Sequence, residues 1–287
     1  MLKHTQQLLS ALDKGDQAVL VSVVKVLGSV PRDQGAWMAV LPHQLINTLG
    51  GGQLEFQAVQ EAQELLLSAT PLAEPLTKRY PLGPSLGQCC GGVVHLSFEV
   101  VDASHIPVLQ ARLKTHEPQL SLFGGGHVGR AIVELMQRLP WQVTWIDSRE
   151  SIFPHEVGFN IHLEHSEPVQ GAVASLAAQS HVLIMSFSHA EDLDVLQQCL
   201  LRQRQQGDLK SIGLIGSDTK WATFKSRLKQ RGFTPEELGQ VQCPIGLPGL
   251  NAKEPEVIAV SVVAKLLMNE EQSAQVPEED FILRRGV

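Results

Sequence analysis

Apolar positions recur at helical spacing over residues 3–14. They give way to a β-branched run at 18–27 and a short strand at 37–41. Leu54, Ala58, Ala62, Leu65 and Ala69 then predict a helix over 54–69, followed by a strand-like piece at 76–80 and an alternating strand at 93–101. From residue 119 the rhythm changes to short apolar strands (120–123, 142–146, 182–185, 212–215). Helical segments at 128–139, 169–178, 193–204 and 221–229 separate them, and a last helix covers 255–268. Strands and helices in alternation predict a buried parallel sheet. The fold class expected is therefore α/β, a C-terminal Rossmann-like domain with a smaller N-terminal α+β domain. Boundaries are placed at 1–103, a linker at 104–118, the Rossmann-like domain at 119–270 and an acidic tail at 271–287.

At 287 residues and 43% hydrophobic, the chain can bury two cores without staples. A net charge of −7 with no Lys/Arg run gives no footprint for nucleic acid or an anionic membrane, and neither is expected as a partner. Residues 257–268 are too short a run to span a bilayer. The first residues lack the order of a secretory signal, and four cysteines without a CxxC pair fit a reducing compartment, so a cytoplasmic location is expected.

The strongest chemical signal is Gly124-Gly125-Gly126-His127-Val128-Gly129, between a predicted strand and a predicted helix, with Asp147 about 20 residues on. Glycines at this spacing allow a sharp turn, close approach of backbone amides to a phosphate, and tight helix–sheet packing. Asp147 meets a ribose hydroxyl in one reading and caps the loop Ser148-Arg149-Glu150 in the other. Taken alone, the turn points to an NAD(P)-dependent oxidoreductase. No residue stands out as the acid–base partner such an enzyme needs.

Other motifs change that picture: Pro31-Arg32 within 28–35, Gly50-Gly51-Gly52-Gln53-Leu54-Glu55, Gly87-Gln88-Cys89-Cys90-Gly91-Gly92, Trp145 to Glu150, Gly213 to Lys220, and Cys243-Pro244-Ile245-Gly246. With these in order along nearly its whole length, the chain resembles the xanthine dehydrogenase accessory protein family, the XdhC and CoxI group. The resemblance implies a non-catalytic cytoplasmic chaperone and homodimer. Such a protein binds molybdenum cofactor (molybdopterin or its cytosine dinucleotide), protects it during sulfuration by a cysteine desulfurase, and delivers it to a molybdenum hydroxylase such as xanthine dehydrogenase.

On that resemblance the candidate cofactor-binding residues of the second domain are Gly124, Gly125, Gly126, His127, Val128, Gly129, Asp147, Arg149, His189, Ser217 and Lys220. Those of the first are Arg32, Gly51, Gly52, Glu55, Cys89 and Cys90. Arg32 is read as a phosphate or pterin clamp or as a solvated loop residue, and Glu55 as a pterin contact or a complement to the helix dipole. Cys89 and Cys90, flanked by glycines, are candidates for facing the molybdenum end, against the alternative of small buried residues. Cys243 is a weaker candidate for the same cleft. His162-x-x-His165 reads as a solvated loop rather than a metal pair. Gln53 and Phe187 stand where the family usually has His, and His189 matches the second family histidine of its motif. Lys220 is a charge for a phosphate, and Ser217 a ligand contact or a helix cap.

Overall fold

The computed structural model describes residues 3–68, 74–83, 91–113, 117–250 and 253–274, and the chain divides into two compact units, Met1–His116 and Glu117–Val287. In the first, β1 (Ala18–Leu27) runs through the middle of an antiparallel sheet. Its companions are β2 (Trp37–Val40), β3 (Leu45–Asn47), β4 (Leu76–Pro81) and β5 (Val93–Val101), in the order β3-β2-β1-β5-β4. Alternate residues of β1 face opposite sides. Val19, Val21 and Val23 pack with Leu54, Ala58 and Ala62 of α2 (Gly52–Leu67). Ala18 and Leu20 pack with Leu8 and Leu12 of α1 (Lys3–Asp13) and Leu109 of α3 (Ile106–Arg112). Covering both faces explains why the run is apolar throughout its first half rather than alternating. The stretch expected as a linker holds α3, with Pro107 at its start and Leu109 buried among residues of the first unit.

The second unit is a six-stranded parallel sheet: β6 (Gln119–Phe123), β7 (Gln142–Asp147), β8 (Ile161–His165), β9 (Ser180–Ile184), β10 (Ser211–Leu214) and β11 (Val241–Gln242). Its order, β11-β10-β9-β6-β7-β8, is the dinucleotide-fold order 3-2-1-4-5-6 read from the other edge. The order reverses between β6 and β9, which puts the topological switch point of the sheet at their carboxyl ends. One face is covered by α4 (His127–Met136) and α8 (Pro255–Ala274). The other is covered by α5 (His189–Gln206) and α6 (Asp218–Gln230), with the short α7 (Pro235–Leu238) beyond.

Three sequence expectations change here. Residues 169–178 form not an α-helix but a 3-10 turn, Val169–Ser175. His162 and His165 lie on edge strand β8 rather than in a loop, and the described residues hold no metal-binding cluster. The last helix continues to Ala274, past the boundary placed at 270. It is fastened where Glu270 meets His181 Nε2 at 3.0 Å and Lys210 Nζ at 2.5 Å, while His181 Nδ1 pairs with the Ser211 hydroxyl at 2.7 Å. No helix of the described residues is long and apolar enough to cross a membrane.

Candidate functional site

The glycine turn leaves β6 at the switch point. Gly124 has φ +124°, and a Cβ there would lie 2.0 Å from the Met185 carbonyl oxygen. A Cβ on Gly129 would lie 2.1 Å from the Gly124 carbonyl oxygen, which also accepts the Trp145 indole N–H at 3.0 Å. These two glycines are required by packing of strand against helix. Gly126 differs: it is exposed, has an ordinary φ of −69°, and a Cβ there meets nothing within 4 Å. It is the N-cap of α4, so no side chain caps the amides of the first turn. His127 is exposed beside it, and Val128 packs partly into the core. The helices to either side of the switch point are closed differently, for Ser188 caps α5 through Glu191 N–H and Ser217 caps α6 through Lys220 N–H.

Asp147, 2% exposed, ends β7. Its Oδ2 accepts the Gly125 N–H at 2.6 Å and Arg149 Nη2 at 2.9 Å, and its Oδ1 accepts Arg149 N and Nε, each at 2.9 Å. A carboxylate offers about four lone-pair sites, and all four are used. Burial pushes the carboxyl up, but the Arg149 guanidinium and the Gly125 and Arg149 amides more than offset this and hold it below the usual range. The expectation that Asp147 meets a ribose hydroxyl therefore gives way to the loop-capping alternative. Arg149 is committed as well, paired with Asp147 and stacked 4.3 Å from the centroid of the exposed Phe187 ring.

Two carboxylates that the sequence reading passed over tie the neighbouring loops. Glu191 accepts the Phe187 N–H at 3.1 Å and the Ser148 hydroxyl at 2.8 Å, linking the ends of β7 and β9. Buried Asp192 accepts the Ser186 N–H at 2.7 Å and Lys220 Nζ at 2.6 Å. The Ser188-x-x-Glu191 spacing is a capping-box signal legible in the sequence. Here the glutamate reaches one residue further back than the box requires. Lys220 also donates to the Ile215 carbonyl at 2.7 Å, so two of its three donors are spent inside the protein. With His189, Ser217, Thr219, Thr223, Phe224 and Arg227 it lines a cleft of about 390 Å³ that runs along α6 from its first turn to Arg227 in its last, beside the start of α5. Cys243 is half-buried, and burial pushes its thiol up to about 11, so it is a neutral thiol.

In the first unit Gly50, Gly51 and Gly52 all have positive φ (108°, 77° and 73°) and lead into α2. Glu55 folds back on this loop and accepts the Leu49 N–H at 2.8 Å, the Gly51 N–H at 3.1 Å and the Thr48 hydroxyl at 2.5 Å. Burial raises its carboxyl, but these hydrogen bonds and the charge of Arg32 bring it below the usual range. A Cβ on Gly50 would come within 3.3 Å of Pro31 and 3.4 Å of Arg32, which places the Pro31-Arg32 turn against the triple glycine. Gly92 abuts the same turn, with a Cβ there 2.3 Å from the Ser29 carbonyl oxygen. Arg32, Gly51, Gly52 and Glu55 are thus neighbours, although Glu55 is occupied with its own loop. Cys89 and Cys90 lie outside the described residues.

A parallel sheet of this order with a glycine turn at its switch point and an uncapped helix behind it defines an α/β protein of the Rossmann type. Within that class the chain belongs to the XdhC and CoxI family. The XdhC Rossmann domain matches residues 120–266, and the XdhC and CoxI family model matches residues 11–80. An uncharacterized protein of Escherichia coli, YqeB, is 24% identical over 86% of this chain, which spans 42% of that protein's length. The Escherichia coli molybdenum cofactor insertion chaperone PaoD is 21% identical, covering 94% of this chain and 89% of its own. A crystal structure described as a xanthine dehydrogenase from Bacillus halodurans shares the fold, with a TM-score of 0.76, 20% identity, and coverage of 96% of this chain and 99% of that one.

Proposed function

We propose that this chain is a carrier of molybdenum cofactor that catalyses no reaction itself. It holds the cofactor during sulfuration by a cysteine desulfurase and passes it to a molybdenum hydroxylase such as xanthine dehydrogenase. The observation that carries this reading is the open first turn of α4 at Gly126, set among loops whose other donors and acceptors are largely consumed. The cargo, molybdopterin or its cytosine dinucleotide, is a phosphorylated pterin. A phosphate group needs what this turn offers: unshared backbone amides, the positive end of a helix dipole, and no side chain in the way. A helix terminus contributes about 0.3–1 kcal/mol per charge, up to about 2 when partly buried. Further contacts within the second unit are therefore assigned to His127, Val128, His189, Ser217 and Lys220, and Arg32, Gly51, Gly52 and Glu55 of the first unit are proposed as cofactor-binding residues on the family resemblance. Cys89 and Cys90 are assigned to the molybdenum end as soft thiolate donors. The name of PaoD supports the cargo, and the family supports the accessory role. Cytoplasmic residence and a homodimer complete the reading.

The rival is an NAD(P)-dependent oxidoreductase. The saturated carboxylate of Asp147 counts against it, because the acidic residue that should receive the ribose hydroxyl has no lone pair to offer.

The test is to purify the full chain from molybdenum-replete cells, oxidise it and measure pterin fluorescence, with a parallel titration of NAD(H). Pterin at near one equivalent with no NAD(H) binding is the result expected. Stoichiometric NAD(H) and no pterin would overturn it.

A further inference from the structure

The two sides of the glycine turn are unequal. Toward β7, Asp147, Arg149 and Glu191 spend their hydrogen bonds on one another and on the loops. Toward β10 lies the 390 Å³ cleft, whose wall is one face of α6. Thr219, Thr223 and Arg227 follow at i, i+4 and i+8, so their side chains form a single row along that face. Arg227 is exposed, with no ion pair or hydrogen bond among the described residues. The Thr223 hydroxyl donates to the Thr219 carbonyl at 3.0 Å, so its one proton is spent on its own helix. Lys220, fixed by Asp192 and the Ile215 carbonyl, keeps one N–H, and His189 stands edge-on to Phe224 across the opening, with ring centroids 6.4 Å apart. No carboxylate lines the cleft among the described residues.

We propose that this cleft is a second anion subsite for the same ligand. Cargo held by a phosphate at the first turn of α4 would lie across the end of β9 and set another anionic oxygen group against Arg227, Lys220 and His189. The inference rests on the cargo reading above and deepens it by giving the ligand a direction. Adjacent strands are about 4.8 Å apart, so the ends of β6 and β10, separated by β9, are about 10 Å apart. The loop that leaves β9 bridges the two places, with Met185 against the glycine turn and His189 in the cleft. The unpaired Arg227 guanidinium, the His189 ring and the one N–H that Lys220 keeps beside its bonds to Asp192 and Ile215 suit an oxyanion better than an apolar ring. That oxyanion can belong to a pyrophosphate-linked nucleotide arm or to the oxo-bearing metal end of the cofactor. The experiment separates these sources.

Full-length wild-type protein and the variants Arg227→Gln and Gly126→Asp would be titrated with three probes: molybdopterin carrying molybdenum, the metal-free pterin, and the cytosine dinucleotide form. Arg227 touches no described partner, so its substitution leaves the fold intact, which a melting curve verifies. The expected result is that Arg227→Gln weakens binding by about tenfold or more for any probe that carries the second anion. Gly126→Asp is expected to weaken all three. A loss confined to the dinucleotide assigns the cleft to the nucleotide arm, and a loss confined to the metal-bearing probe assigns it to the metal end. Wild-type affinity for every probe in Arg227→Gln overturns the cleft while leaving the glycine turn standing. Failure of the wild type to bind any of the three overturns the cargo reading itself.

Discussion

Gly125 donates its backbone N–H to Asp147 across 2.6 Å, joining the turn after β6 to the end of β7. The same carboxylate grips Arg149 through both oxygens, so one buried charge sets the shape of two loops. Asp147→Ala should cost about 3 kcal/mol, because the guanidinium and the Gly125 amide lose their acceptor together. Urea unfolding measures it, and a loss below about 1 kcal/mol would show that solvent replaces the carboxylate. Since the folded carboxyl lies below its unfolded value, this stabilisation is present above about pH 4 and disappears as pH falls through the folded value.

The glycines of the turn separate by role. Gly129→Ala should destabilise the second unit by about 2 kcal/mol or more, since its Cβ collides with a carbonyl oxygen of the backbone. Gly126→Ala should leave the melting temperature within a degree or two, since its Cβ enters open space and its φ is one any residue adopts. Cofactor retention should fall with Gly126→Asp, whose side chain brings a negative charge to the phosphate position. Equal melting temperatures for Gly129→Ala and wild type would contradict this division.

His181 and Glu270 give a second pH dependence. Burial pushes the His181 imidazole down, against the opposing pull of Glu270, so it is neutral in the folded state and donates to the carboxylate. Unfolding exposes a group that binds a proton below about pH 6.5. Stability is therefore complete above that value and declines as pH drops from it toward the folded value. Replacing His181 by Asn should flatten the slope of unfolding free energy against pH below about 6.5. An unchanged slope would assign the proton uptake elsewhere.

Glu55 predicts a local effect. Glu55→Ala removes the acceptor for Leu49, Gly51 and Thr48 at once, and should cost about 1–3 kcal/mol. Hydrogen exchange at the Leu49 and Gly51 amides should accelerate while amides of β1 keep their protection. Uniform acceleration across the first unit would mean that the loop is coupled to the whole sheet.

Both layers of the fold were legible where side chains report burial. The β1 run and the strands β6, β7, β9 and β10 carry enough apolar residues to be read directly, because helices cover both faces of their sheets. Edge strand β8 was not, since only Ile161 and Leu163 of Ile161–His165 are apolar and the rest faces water. Helix α3 was hidden by its seven-residue length and by Pro107, which breaks a pattern search yet suits a first turn. In the site, the glycine turn was legible from its spacing together with the strand before it, the helix after it and Asp147 about 20 residues on. The direction in which Asp147 points was not, because a carboxylate at the end of a second strand serves a ribose or a loop equally well until Arg149 is seen to fill it. Glu191 and Asp192 escaped notice because acidic residues in a helix's first turn ordinarily complement the dipole, and nothing in their spacing announces that they reach across to other loops.

One asymmetry among the helices bears on the life of the protein in the cell. Serines close α5 and α6 from within the chain, while α4 begins at a glycine with no side chain to offer. A cap of that kind contributes about 1 kcal/mol, which a ligand anion at the first turn of α4 would supply in place of water. A ligand present at about 100 times its dissociation constant adds about 2.7 kcal/mol to the folded state. On the carrier reading, proteases that sample opened molecules would then clear empty protein up to about a hundredfold faster than loaded protein, and the standing pool would follow the supply of cargo without any dedicated sensor.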